Sequence, residues 1–268
     1  MAARPTWTGT VSFALLSVPV KLYTAVRSKD ISFNQLEKST GQRIKQKRVS
    51  SVSGEEVAGE NIVKGYDLGG DRYVVIDPEE LEQLTPRDAT NEKTIQILEF
   101  VDQDDIDPIY FEKPYYIAPD KGGARPYGLL VAAMKATNKV AVAKIVMRTK
   151  EYVAIIRPMG HFLCMETMVF ADEVVSPAEV DGLPDSAMEI AEKELDMAKM
   201  LIETTAGTFD PSSYRDEYRE KVLALIEAKA SGEVYEMPKL EEAPKVIDLM
   251  AALEASLAAA KARKLEAA

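Results

Sequence analysis

A short cationic stretch, residues 42–49, is the first place where the sequence suggests chemistry. It carries Arg43, Lys45, Lys47 and Arg48 and no acidic residue, in a chain whose formal net charge is -11. If the stretch forms a strand, Arg43, Lys45 and Lys47 share one face, because side chains alternate along a strand. Such a face either meets an anion or is a solvated edge strand whose lysines deter aggregation. The segment alone leaves both interpretations open.

A second cationic stretch covers residues 121–150. It holds seven Lys or Arg and no acidic residue, and residues 1–50 hold nine against two, so each carries +7 and the remainder carries -25. We predict one strand from Val140 to Lys150. Its outward face carries Lys144, Arg148 and Lys150, and its core face carries Ala141, Ala143, Ile145, Met147 and Thr149. A solvated strand face is the alternative.

The segregated charge favours one cationic groove in an acidic body. A polyanion responds to the local potential within a Debye length, about 8 Å at physiological salt, and not to net charge. Aromatic residues are not interleaved with the bases, which favours contact with a duplex backbone over stacking on single-stranded bases. The candidate DNA contacts are Lys21, Arg43, Lys45, Lys47, Arg48, Arg125, Lys144, Arg148 and Lys150.

The parts of an enzyme are missing from the sequence. One cysteine, Cys164, excludes an intramolecular disulfide and a thiolate zinc site, and the single histidine, His161, excludes a histidine cluster. There is no nucleotide-binding glycine motif, and Asp102–Pro108 lacks the glycine and glutamate of a calcium loop. We therefore predict a binding protein without catalysis, cofactor or metal. Without a signal peptide or a membrane-length apolar run, we expect a cytosolic protein.

Many strands followed by helices must position these cations. Alternating patterns predict strands at Trp7–Leu15, Ser17–Tyr23, Ile31–Leu36, Arg43–Val49, Tyr73–Ile76, Thr94–Val101, Tyr115–Pro119, Val140–Lys150, Tyr152–Arg157 and Phe162–Phe170. Helical spacing predicts helices at Tyr127–Thr137 and Asp185–Thr205, and from Asp210 and Lys245 onward. The order favours an α+β fold with an antiparallel β-barrel core and a C-terminal helical arm. We divide the chain into a core (1–183), a dimerisation arm (184–232), and a linker with a short final helix (233–268).

With these elements in place, the chain resembles bacterial Ku, the homodimeric DNA-end-binding protein of non-homologous end joining. The segments that carry the resemblance are Trp7–Phe13, Val18–Tyr23, Arg43–Val49, Gly54–Val57, Ile62–Tyr66, Ile106–Pro108, Tyr115–Tyr116, Glu194–Ala198, Phe209–Pro211 and Tyr214–Tyr218. They follow the family's order over about residues 5 to 232. Asp248–Leu253 also resembles the family's short C-terminal helix.

The resemblance implies a Ku-type, SPOC-like barrel whose two copies close a ring around double-stranded DNA. It further implies recruitment of an ATP-dependent DNA ligase, ligase D, through the C-terminal region, in the bacterial cytosol and on the nucleoid. The candidate ligase contacts are Val246, Leu249, Met250, Leu253 and Leu257.

Two departures from the family narrow these expectations. Ser50 and Ser53 stand where many relatives carry a Cys-x-x-Cys, so we expect no metal or redox role there. The chain also lacks the long Lys-rich tail of some relatives, stopping after Lys261, Arg263 and Lys264. We therefore expect no tail-dependent binding of unbroken DNA.

Other classes of function remain open at this point. A barrel that binds single-stranded nucleic acid predicts tighter binding to a dT oligomer than to blunt duplex. A protein scaffold whose final helix is the active part predicts no DNA binding, and a nuclease predicts magnesium-dependent loss of end-labelled DNA.

Overall fold

Seven strands close into a barrel in the computed structural model, which describes residues 3–70, 72–84, 93–184, 186–232 and 256–258. The barrel strands are β1 (Trp7–Phe13), β2 (Leu16–Thr24), β5 (Thr94–Val101), β6 (Phe111–Pro119), β7 (Val140–Met147), β8 (Lys150–Met159) and β9 (Phe162–Met168). A separate hairpin pairs β3 (Lys64–Asp67) with β4 (Tyr73–Ile76). The helices are α1 (Pro78–Leu84), α2 (Ala124–Thr137), α3 (Glu192–Thr205) and α4 (Glu217–Ser231).

The strand order around the barrel is β1-β2-β6-β9-β8-β7-β5. Every neighbouring pair is antiparallel except β1 and β5, which run parallel from Thr10 opposite Thr94. The predicted antiparallel barrel is confirmed, and the parallel pair is the seam that closes it. A parallel pair needs a long crossover between its strands, which here includes all of residues 25–93.

The barrel interior is built from the inward-facing residues of each strand. Ala141, Ala143 and Ile145 are buried, as the alternation along β7 predicts. Helix α2 covers one end of the barrel, where Leu130, Val131 and Met134 are buried. Each large apolar side chain buried in this way stabilises the fold by roughly 1.5–3 kcal/mol.

One buried tyrosine ties α2 to the strands beneath it. The Tyr127 hydroxyl donates to the carbonyl oxygen of Ile117 at 2.6 Å and accepts from the backbone N–H of Leu163 at 2.8 Å. Both hydrogen-bonding roles of this hydroxyl are therefore used inside the protein. This end of the barrel is called the closed end below.

The opposite end of the barrel is not covered by α2 and is called the open mouth below. Strands β1, β6 and β8 begin there, and β2, β7 and β9 end there. The chain leaves the open mouth after Thr24 and rejoins the barrel at Thr94. The connection between them, residues 25–93, is called the long connection.

The long connection buries none of its described residues. It contains β3, β4 and α1, but two strands that we predicted in it, Ile31–Leu36 and Arg43–Val49, do not form. Only isolated bridges join Leu36 to Arg43 and Val49 to Glu56. The prediction was wrong because alternation within a segment does not supply a pairing partner: each of these segments meets its neighbour at a single bridge, whereas β3 and β4 pair over four positions.

The predicted strand Val140–Lys150 is also corrected. It ends at Met147, and Arg148 and Thr149 form a two-residue turn before β8. Arg148 has a φ of 61°, which a strand cannot contain. Lys144, Arg148 and Lys150 therefore do not share one strand face, and Thr149 is exposed in the turn instead of facing the core.

The chain separates into two compact units, Met1–Val180 and Asp181–Ala268. In the second unit α3 begins at Glu192, not at Asp185, because Ala191 is extended and Glu192 and Glu194 place negative charge in the first turn, which the helix dipole favours. None of the helices in the described ranges has the length and apolar character needed to cross a membrane.

The second helix of this unit also begins later than we predicted. Asp210 caps only a short 3-10 turn, Pro211–Ser213. Helix α4 begins at Glu217, where the Asp216 carboxylate accepts from the backbone N–H of Arg219 at 2.9 Å. Asp210 and Asp216 are both N-cap residues, whose carboxylates accept hydrogen bonds from backbone N–H groups of the following turn. Only the segment after Asp216 continues as an α-helix.

Candidate nucleic-acid interface

The long connection carries four of the nine predicted DNA contacts, all exposed. Arg43 donates a hydrogen bond to Oδ1 of Asn34, and Lys47 pairs with Glu56 at 2.6 Å. Lys45 and Arg48 have no acidic partner within 4.0 Å among the described residues. Of the four, these two cations are the ones without a side-chain partner among the described residues, which leaves them available to an external anion.

Two further predicted contacts lie on the outer wall of the barrel and are already paired. Lys21 on β2 lies 2.6 Å from Oδ1 of Asp120. This hydrogen bond raises the pKa of Lys21 and, with the backbone N–H of Lys121, lowers the pKa of Asp120. Lys144 on β7 pairs with Glu151 of β8 at 3.0 Å. A phosphate would have to compete with these carboxylates.

Arg148 and Lys150 lie together at the open mouth. Lys150 pairs with Glu173 at 3.4 Å, and its Nζ lies 5.2 Å from the centre of the Tyr152 ring. Arg148 has no acidic partner within 4.0 Å among the residues that the structure describes. The last predicted contact, Arg125, is exposed at the start of α2, near the closed end.

The nine cations thus do not form one groove within a single protomer. Arg125 belongs to the closed end, Lys21 and Lys144 to the outer wall, and Arg148 and Lys150 to the open mouth. The long connection, with four of the nine predicted contacts, leaves and returns on the side of the open mouth. The predicted contacts at the open mouth and in residues 43–48 of the connection are therefore the ones that the fold can present on one side of the barrel.

Sequence reasoning missed a pocket at the open mouth, about 230 Å³ in volume. Six strands contribute to it, and its lining includes Trp7, Lys113, Tyr115, Arg148, Tyr152 and Thr167. Burial raises the pKa of the Tyr115 hydroxyl, which therefore remains a neutral donor at physiological pH. These residues are distant in sequence, so only the pairing of β1, β6, β8 and β9 reveals that they meet.

The predicted ligase contacts fall mostly outside the described residues. Val246, Leu249, Met250 and Leu253 are not described, and Leu257 lies in a helical piece, residues 256–258, where it is half-buried. Their role stays a prediction.

No group of three or more His, Cys, Asp or Glu that could hold a metal occurs within the described ranges. Ser50 organises a turn instead, since its Oγ accepts from the backbone N–H groups of Val52 and Ser53 at 3.3 and 3.4 Å. Cys164 is buried, and burial raises the pKa of its thiol, so little reactive thiolate is present at neutral pH.

A closed seven-strand barrel, with a long connection at one mouth that carries an exposed cationic stretch at residues 42–49, defines a class of barrel proteins that can present cations to an extended anion. The model of the Ku70/Ku80 beta-barrel domain matches residues 12–197. This chain belongs to the Ku family.

Similar proteins carry the name "Non-homologous end joining protein Ku". The relative from Anaeromyxobacter sp. (strain K) is 44% identical over 263 residues, which cover 97% of this chain and 87% of that protein. The relative from Koribacter versatilis is 41% identical over 263 residues, which cover 98% and 88%. The relative from Frankia casuarinae is 43% identical over 260 residues, and the match spans 97% of this chain but only 64% of that longer protein.

A solved structure, the SPOC domain of human PHD-finger protein 3, aligns with 62% of this chain and 95% of that domain. The TM-score is 0.30 and the sequence identity 13%. The fold assignment rests on the barrel itself and on the family model.

Proposed function

We propose that two copies of this chain close a ring that binds the ends of double-stranded DNA without sequence preference. The assembly then recruits an ATP-dependent DNA ligase, ligase D, in non-homologous end joining. The protein acts by binding, without catalysis or a cofactor, in the bacterial cytosol and on the nucleoid. Membership of the Ku family and the names of its relatives support the end-joining role.

The long connection is the observation that carries the ring. Its described residues expose fourteen large apolar side chains, including Phe33, Val52, Tyr66 and Leu84 at 65–96% relative exposure. So many exposed apolar side chains in one connection favour contact with another molecule. In a two-fold symmetric dimer the long connection of each copy is covered by the other copy. The resulting assembly is closed, and Lys45 and Arg48 are available to the ligand that it encloses.

The helices of the second unit support dimerisation by a separate surface. Helices α3 and α4 have no buried residue, and Leu195, Ile202, Tyr218 and Ile226 are exposed by 41–77%. Two helices that leave their apolar side chains in water are stabilised when a partner covers them. This agrees with a role of residues 184–232 in joining two copies.

A ring that contacts only phosphates explains the lack of sequence preference. Phosphate contacts from Lys and Arg position a protein on duplex and carry no base information. Most of their free energy comes from released counterions, so affinity falls with salt by a slope of about 0.9 per phosphate contacted. The acidic remainder of the chain disfavours unproductive contact outside the ring.

Linear and circular DNA should behave differently if this proposal is correct. We expect a linear blunt duplex to compete efficiently for the protein, and a covalently closed circle of the same sequence to compete poorly, because a closed ring is threaded only from an end. A gel-shift competition at one salt concentration measures the ratio. Cutting the circle once is the matched control, since it supplies ends and changes nothing else.

Equal competition by the circle and its cut form would contradict the ring. A dT oligomer that binds more tightly than blunt duplex would favour single-strand binding instead. Loss of end label in the presence of magnesium would reveal a nuclease, and the absence of any shift would favour a protein-only scaffold.

The C-terminal segment, for which the sequence predicts a helix, is the proposed ligase contact, through the apolar series Val246, Leu249, Met250, Leu253 and Leu257. We expect Leu249→Asp with Leu253→Asp to abolish stimulation of ligase D on linear duplex, because two charges cannot be buried in an apolar helix interface without large cost. End-joining assays with purified ligase measure this. Lys261→Gln, outside the series, is the control, and unchanged stimulation in the double variant would contradict the assignment.

A further inference from the structure

The pocket at the open mouth, called the mouth pocket below, has a composition that the fold alone does not require. It has a volume of about 230 Å³ and is lined by residues from six strands. Its side chains are mainly hydrogen-bond donors, from threonines, two tyrosines, Lys113 and Arg148. Mouths of β-barrels are preferred places for ligand sites, and convergent polar groups set what they bind.

Arg148 occupies a strained position at the edge of this pocket. It is the first residue of the two-residue turn between β7 and β8, and its φ is 61° while Thr149 has no positive φ. This pattern is typical of the type II′ turn, whose first position favours glycine. Ala14 has a similar φ at the first position of the turn between β1 and β2, so this turn does not itself require arginine, and what Arg148 adds is a guanidinium at the edge of the pocket.

The charges of the mouth pocket are not balanced within the protein. Lys113 and Arg148 have no acidic partner within 4.0 Å in the described part of the chain. The one carboxylate in the lining, Glu112, accepts a hydrogen bond from Oγ1 of Thr167 at 3.2 Å. The pocket therefore offers the N–H donors of two cations, while its one carboxylate already accepts a hydrogen bond. This combination favours an anionic ligand.

A tryptophan adds a further unused donor. Trp7 lines the pocket and is 8% exposed, and its Nε1 is buried without a hydrogen-bond partner among the described residues. Buried indole N–H groups usually have a partner. Trp7 is also the chain's single tryptophan, so its fluorescence reports on this pocket alone.

We propose that the mouth pocket binds one phosphate group, held by the Arg148 guanidinium and the Lys113 ammonium and oriented by the Tyr115 and Tyr152 hydroxyls. A planar guanidinium matches two phosphate oxygens at once, which makes arginine the stronger determinant. The phosphate comes either from the terminus of a DNA strand or from a free phosphate compound. The first source rests on the proposed function, and the second does not.

Titration with pyrophosphate, monitored by Trp7 emission in the full chain without DNA, tests the pocket directly. We expect a saturable change in emission, measured against sodium chloride of equal ionic strength. Arg148→Gly should abolish it. This variant should fold at least as stably as the parent, because glycine relaxes the turn, and thermal unfolding checks this. Lys193→Gln, which removes one charge from α3, should respond like the parent.

Two duplexes of one sequence, with 5′-phosphate or 5′-hydroxyl ends, identify the source. If strand termini supply the phosphate, the phosphorylated duplex binds roughly tenfold more tightly, which corresponds to one charge-assisted hydrogen bond. In Arg148→Gly the two duplexes then bind equally. If the duplexes bind equally to the parent but pyrophosphate changes its emission, a free phosphate compound is the ligand.

Equal duplex binding together with an unchanged Trp7 emission overturns the proposal. Failure of the proposed function looks different, since neither duplex would then shift while the pyrophosphate titration would still decide on the pocket.

Discussion

Replacing Lys45 and Arg48 together by glutamate is expected to weaken binding to linear duplex by roughly 30-fold or more at physiological salt. Both side chains are exposed on the long connection, and neither has an acidic partner within 4.0 Å among the described residues. Each lost phosphate contact removes one released counterion, worth about sixfold in affinity at this salt concentration. The slope of log affinity against log salt should fall by about 1.8 for two contacts.

The neighbouring Lys47 offers a matched control within the same segment. Glu56 lies 2.6 Å from its Nζ and already neutralises much of its charge, so Lys47→Glu should cost less affinity than Lys45→Glu. All three side chains are exposed, and exposed ion pairs contribute little to stability, so thermal unfolding should barely change. A larger loss from Lys47 than from Lys45 would show that the local pairing does not govern DNA contact.

This ranking illustrates what the sequence could and could not predict. Period-two alternation identified the core face of β7, because burial of Ala141, Ala143 and Ile145 needs only the local pattern. Pairing of cations with carboxylates is not local: Lys21 meets Asp120, 99 residues away, only through the strand order. The charge of a segment is readable from sequence, whereas its availability to a ligand depends on the fold.

The turn between β7 and β8 and the seam between β1 and β5 are two further features that the sequence did not predict. Arg148 and Thr149 lack the glycine or asparagine that normally announces a two-residue hairpin, so the alternation continued through them and predicted one long strand. Similarly, the parallel pairing of β1 with β5 depends on a crossover of many residues. The mouth pocket depends on both features, which is why none of its neutral residues could be chosen from the sequence.

The closing seam of the barrel depends on a glycine, and Gly9→Ala is expected to destabilise the fold by about 3 kcal/mol. A Cβ on Gly9 would lie closer than 3.0 Å to the backbone oxygen of Lys93 and to the Trp7 ring. That oxygen accepts the hydrogen bond from the Thr10 N–H at 2.9 Å, beside the first residue of β5. The backbone cannot move away without opening the seam between β1 and β5.

Gly128 provides the matched control for this substitution. It lies exposed in α2, and a Cβ there meets nothing within 4 Å. Gly128→Ala should therefore stabilise the protein by about 0.5–1 kcal/mol, since alanine favours the helix. Urea unfolding of the two variants measures both changes, and the same slope in denaturant would show that the unfolded state is unaltered.

The Gly9 variant also connects the seam to the mouth pocket. Because the added methyl group pushes against Trp7, its emission spectrum should shift in the folded variant, while Gly128→Ala should leave the spectrum unchanged. The phosphate response should weaken in parallel, since Trp7 lines the same pocket as Arg148. A Gly9→Ala protein as stable as the parent, with unaltered emission, would show that β1 and β5 can separate without loss, and that the seam does not hold the mouth in place.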